Sequence, residues 1–194
     1  MLETLEQEVK RYVTQLFEKT DTSKLFYHNY QHTFEVVQRI EALAVDLNPT
    51  DLLLLKMAGW FHDLGYLYTY HEHEEKGMVL AASYLKKHPI DPAKIKLITA
   101  CIEATKMSLE PRNYLEEIIK DADIGYGTTE RFLQTGALLR KEWEVFLEKF
   151  YLDKEWEVLQ YNFLIHVQFY TNIAQKEYGP LLQKNIIQQK KRSL

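Results

Sequence analysis

The chain of 194 residues has little that fixes or interrupts a fold covalently: one cysteine, five prolines and seven glycines. Cys101 alone forms no intrachain disulfide, which excludes a disulfide-stapled scaffold and suits a reducing compartment. No proline falls between Pro111 and Pro180, so nothing in that span forbids long helices. Positive charge is not in excess. With 24 Lys and Arg against 28 Asp and Glu, the formal net charge is −4, without the basic footprint of an obligatory nucleic-acid partner. Long apolar runs are missing as well. The greasiest stretch, Leu52 to Phe61, carries Lys56 and is about half as long as a membrane-spanning helix. The opening residues have neither the basic nor the apolar segment of a secretory leader. Repeats, linkers and low-complexity stretches are absent too. The expectation is a cytoplasmic protein with no membrane partner.

What is present is ordinary globular composition, 46% hydrophobic and 27% charged, enough apolar surface for a sizeable core. Helical periodicity dominates. Leu5, Val9, Tyr12, Val13 and Leu16 share a stripe, with Thr4 and Gln7 as a capping-box start. Phe34, Val37, Ile40, Glu41 and Ala44 follow the next period, with Val36 and Leu43 widening it, and Asn48-Pro49-Thr50 ends it and caps another helix. Leu52 to Phe61 is apolar on nearly every side, the mark of a central helix covered by others. Residues 63–70, with Gly65 and three tyrosines, read as a loop. Helices are expected over 74–87, from Pro92 onward, over 114–122, over about 128–151 with a bend near Gly136, and over 154–178. The basic stretch 184–192 reads as a solvated, frayed end. His166 shares a stripe with Leu159, Phe163, Tyr170 and Ile173 and reads as a core histidine.

The histidines are unevenly placed: five of the seven lie between positions 28 and 73. His32 stands near the start of one expected helix, His62 and Asp63 at the end of the apolar one, and Asp121 and Asp123 at the end of a third. Side chains at helix ends can converge on one cavity, although these are about 30 and 60 residues apart in sequence. Two imidazoles with two carboxylates suit Mn, Fe, Co, Ni or Zn better than Mg or Ca.

Three segments around these residues carry a resemblance. Tyr27-His28-Asn29-Tyr30-Gln31-His32-Thr33, Ala58-Gly59-Trp60-Phe61-His62-Asp63-Leu64-Gly65-Tyr66 and Lys120-Asp121-Ala122-Asp123-Ile124 resemble, in that order, the ligand segments of the HD-domain superfamily of metal-dependent phosphohydrolases. Ile102-Glu103-Ala104-Thr105-Lys106, Glu155-Trp156 with Gln160, and Phe163-Leu164 with His166 are similar to a small bacterial subfamily of predicted HD phosphohydrolases. The resemblance implies an all-α fold, a single-domain HD-type helical bundle over residues 1–194. Its metal-site core would span about 26–130, with C-terminal helices over about 128–194 packing on it.

It also implies a ligand set, His32, His62, Asp63 and Asp123, around one divalent transition metal. The activity implied is hydrolysis of a small phosphoester, of which a nucleotide is one candidate, by metal-hydroxide attack. His28 would give a proton to the leaving oxygen and Lys106 would neutralise phosphate charge, so His28, Asp63 and Lys106 are the catalytic candidates. Asp121 is expected to cap or orient rather than to ligate. Two-metal members carry further histidines. Here His71 and His73 are available, but Thr105 stands where another is expected, which favours one tightly held ion with a weaker second site left open. Some nucleotidase members carry a glutamate just after His-Asp, where this chain has Leu64-Gly65-Tyr66. Two other functions are carried forward: a regulatory module that binds metal or nucleotide without turnover, and a di-iron oxygenase of the HD type. A homodimer is also left open.

Overall fold

The computed structural model describes residues 1–194, and it is all-helical, with nine α-helices and no strand. It divides into two compact units, Met1–Asp123 and Ile124–Leu194.

The first unit contains α1 (Leu2–Lys19), α2 (Tyr30–Leu43), α3 (Pro49–Phe61), α4 (His73–Leu85), α5 (Pro92–Ala104) and α6 (Tyr114–Ile124). The apolar helix expected to be central is α3, which packs against α1, α2, α4 and α5. Leu54, Leu55, Met57, Trp60 and Phe61 are buried almost completely, and each large apolar side chain so covered stabilises the fold by about 1.5–3 kcal/mol. Lys56 is tolerated in this helix because its ammonium reaches Glu41 at 2.6 Å and Glu6 at 3.6 Å. Glu6 also accepts from the buried Trp60 indole at 2.9 Å, joining α1 to α3.

Local signals set the helix starts. Asn29 caps α2, its Oδ1 accepting from the backbone N–H of Gln31 and His32. Asn48 caps α3 and Asp91 caps α5, each just before a proline in the first turn. The capping box read at Thr4 and Gln7 does not form. The α1 helix begins at Leu2, with no side-chain cap at Met1, which leaves Thr4 inside it. On α2 the buried residues are His32, Thr33, Val36, Val37, Ile40 and Leu43, so Phe34 and Glu41, on the expected stripe, lie off the buried face. The segment after Asp63 is tighter than a loop, with a 3-10 turn over Leu64–Leu67.

The second unit contains a 3-10 turn (Gly125–Thr128), α7 (Phe132–Phe146), α8 (Asp153–His166) and α9 (Asn172–Ser193). Here the absence of proline misled the reading. The helix expected over 154–178 breaks after His166, and Thr171 caps a new helix through its hydroxyl. That new helix continues through Pro180 to Ser193, so the stretch expected to fray is helical. Its inward side chains explain why. Asn185 donates to the Gly127 and Thr129 carbonyls, and Gln189 donates to the Glu157 carbonyl. His166 is exposed rather than in the core, its Nδ1 lying 2.7 Å from the Asn162 carbonyl one turn back.

Candidate metal centre

Four residues from three helix ends converge in the first unit. His32 projects from the first turn of α2, whose direction the Asn29 cap fixes. His62 ends α3 and is 0% exposed. Its Nδ1 lies 2.7 Å from the Gly59 carbonyl. A carbonyl only accepts, so Nδ1 carries the proton and the Nε2 lone pair is available. Asp63 follows in the turn, and Asp123 comes from the last turn of α6.

The Asp63 Oδ2 atom lies 3.1 Å from His32 Nε2 and 3.3 Å from His62 Nε2. Asp123 Oδ1 lies 3.2 and 3.5 Å from the same two nitrogens. One donor atom from each residue falls within 4.8 Å of all the others. Around an octahedral ion with bonds of ~2.1 Å, neighbouring donors are about 3 Å apart and opposite ones about 4.2 Å. The four His–Asp separations, 3.1 to 3.5 Å, lie near the neighbouring-donor value, so the group could hold a cation. His32 Nε2, His62 Nε2 and Asp63 Oδ2 are buried and close, yet none makes a hydrogen bond of acceptable geometry. Buried polar atoms left this way cost about 1–3 kcal/mol each, and a cation among them removes that cost. Only Asp123 opens to solvent, with 26% of its side chain exposed.

The charges of the cluster are mutually arranged. Burial works against protonation of His32 and His62, but the facing carboxylates outweigh it and hold both imidazoles above their ordinary value. Burial alone would raise Asp63 and Asp123; the imidazoles hold both below the usual carboxylate range instead. The consequence for stability has a definite sign. The raised histidines stabilise the metal-free fold below pH ~6.5 and lose that contribution as pH rises through their folded values. The depressed carboxylates contribute above pH ~3.8 and lose theirs only as pH falls through the folded values. Chelated protein is therefore expected to melt at progressively lower temperature from pH 6 to 9. Added metal should raise the melting temperature more at the alkaline end. Scanning calorimetry with and without chelator checks this, and a metal-induced shift that shrinks with pH would contradict it.

Around the cluster lie three rings that spacing alone did not join. His73 Nε2 is 3.7 Å from the other Asp63 oxygen, Oδ1, and burial pushes its pKa down to about 4. Tyr66 stacks on His73 at 3.8 Å and on His28 at 4.0 Å. His28 also meets His32 edge-on at 5.8 Å between centroids. His71 is exposed and outside the group, and Asp121 is buried but not part of it. Thr105 is buried with its hydroxyl donating to the Ile102 carbonyl. Lys106 forms an ion pair with Glu75.

Lys120, the first residue of the third ligand-like segment, has a structural role that the segment alone does not give. It is buried, and its ammonium donates to the Ala104 carbonyl at 3.1 Å and the Lys106 carbonyl at 2.6 Å. It thereby ties the end of α5 to α6, one turn before Asp123. A lysine on the same helical face as a candidate ligand, in a helix with an apolar side, was the available signal.

The HD-domain family model matches residues 29–126, just over half of the chain. The chain belongs to the HD-domain family. All four clustered residues, and His73, fall inside the match. No curated protein and no solved structure matches the chain. HD domains are helical and typical of metal-dependent hydrolases, in keeping with the all-helical fold and a His/Asp group able to hold a metal ion. No helix of this HD protein is long and apolar enough to cross a membrane.

Proposed function

We propose that this HD protein is a metal-dependent phosphohydrolase acting on a small phosphoester, with a nucleotide as one candidate substrate. The observation that carries the reading is the set of buried, unpartnered atoms His32 Nε2, His62 Nε2 and Asp63 Oδ2 facing Asp123. His32, His62, Asp63 and Asp123 would hold one divalent ion of the Mn, Fe, Co, Ni or Zn group. Such an ion, when bound, supplies Lewis acidity toward a phosphoryl oxygen and lowers the pKa of water from ~15.7 toward ~7–9.

The chain's own residues supply the rest. His28 lies beside His32 and against Tyr66, which supports a role for it as donor of a proton to the departing oxygen. Lys106 is held by Glu75; a phosphate group competing for that cation would be neutralised there. Thr105 standing where two-metal members carry a further histidine supports a single tight ion. The separation of 3.7 Å between His73 and the free side of Asp63 leaves a weaker second one as the alternative.

The test is phosphate release from a panel of phosphomonoesters, nucleotides and cyclic nucleotides, after reconstitution with each of the five metals. Turnover of at least one class is expected. Full metal loading with no turnover of any member would instead identify a binding module.

A further inference from the structure

Asp123 reaches the cluster from the last turn of α6, so its place depends on what holds that turn. Two cations hold it. Lys120 ties it to the end of α5. Arg39, on α2, ties it to the helix that carries His32: its Nη1 donates to the Ala122 carbonyl at 2.9 Å. The last four carbonyls of a helix have no partner within it, and the negative end of the helix dipole lies there. A guanidinium matches both.

Two details link the Arg39 contact to Asp123. The Ala122 carbonyl and the Asp123 Cα belong to one planar peptide unit, so a donor that fixes the first fixes where the Asp123 side chain begins. Arg39 also follows His32 by about two helical turns, on the same face of α2. That face meets the end of α6 twice. His32 Nε2 lies 3.2 Å from Asp123 Oδ1, and Arg39 holds the carbonyl just before it. Glu35, between the two on α2, steadies the guanidinium at 3.3 Å, and the Arg39 side chain is only 14% exposed.

We propose that Arg39 is a positioning residue of the metal centre, setting the Asp123 carboxylate against His32 and His62. This role rests on the metal-site reading above and adds a residue to it. Its expected sign differs from that of charge alone. A cation beside the site repels a metal ion, so on electrostatics alone the loss of Arg39 would tighten metal binding. A positioning residue does the reverse, because losing an outer partner of a ligand weakens metal affinity by about 10–100-fold.

The experiment is titration of the chelator-stripped, full-length protein with cobalt(II), followed by calorimetry and by the visible absorption of the bound ion. Arg39→Met keeps the apolar stem and removes the donor. Its affinity is expected to fall about tenfold or more, with the absorption displaced toward that of Asp123→Ala. Arg39→Gln, too short to reach the carbonyl, should do the same and serves if Arg39→Met does not fold. Tyr114→Phe is the control. It removes the 2.9 Å bond from the Tyr114 hydroxyl to Asp46 at the other end of α6 and should leave both readings unchanged. A wild type that binds no cobalt would overturn the metal-site reading and this role with it. Cobalt held by the wild type and held as tightly or more tightly by the Arg39 variants would overturn the positioning role alone. So would an equal loss in Tyr114→Phe.

Discussion

Asp63→Ala is expected to lower phosphoester hydrolysis by at least ~10³-fold, about 4 kcal/mol of transition-state stabilisation, while leaving a helical, folded protein. Asp63 is the residue on which the cluster turns. One of its oxygens faces both His32 and His62, and the other faces His73. No nearby side chain replaces it, because the only other carboxylate in the group is Asp123. Asp63→Asn should lose nearly as much, since an amide keeps the shape but not the charge. In both variants the pH-dependent stability described above should flatten, because each imidazole loses one of its two facing carboxylates. Initial rates at saturating metal, with circular dichroism to confirm the fold, read the effect. An Asp63→Ala protein within tenfold of wild type would rule out the proposed chemistry.

Gly65→Ala is expected to destabilise the protein by more than about 3 kcal/mol, the range in which a forced core clash sits. A Cβ on Gly65 would lie 1.9 Å from the His73 carbonyl oxygen, which is backbone and cannot swing aside. The turn after Asp63 and the start of α4 would have to separate, moving His73 off Asp63. Gly77 shows the same need on the opposite side, where a Cβ would lie 2.8 Å from the Phe61 carbonyl. Gly179 is the control, with nothing within 4 Å of its Cβ position inside α9. Gly179→Ala should be neutral or stabilising by up to about 1 kcal/mol. Urea denaturation of the three proteins gives the comparison, and a Gly65→Ala midpoint equal to that of Gly179→Ala would contradict the close approach.

These glycines mark where the sequence stopped being readable. A single chain shows that Gly65 and Gly77 are small, not that a backbone carbonyl waits beside each. The α3 helix was legible because an apolar surface all round can only be buried, and the starts at Asn48 and Pro92 were legible because helix-start chemistry is local. The second unit was less so. Its breaks depend on a Thr171 cap, and its last helix on Asn185 and Gln189 reaching carbonyls more than thirty residues away. His166 fell on an apolar stripe, yet α8 turns that position to solvent. For the candidate centre, helix ends could be placed from periodicity, and the His-Asp pair with flanking segments pointed to the superfamily. The convergence of His73, Tyr66 and His28 beside the four clustered residues rests on the fold of the turn after Asp63, which no spacing rule gives.

The central claim is that His32, His62, Asp63 and Asp123 form one metal site. Elemental analysis of the protein after reconstitution and desalting tests it most directly, in wild type, His62→Ala and Asp123→Ala. One divalent transition-metal ion per chain is expected in the wild type and close to none in either variant. A wild type that retains no ion, or variants that retain as much as the wild type, would contradict the account.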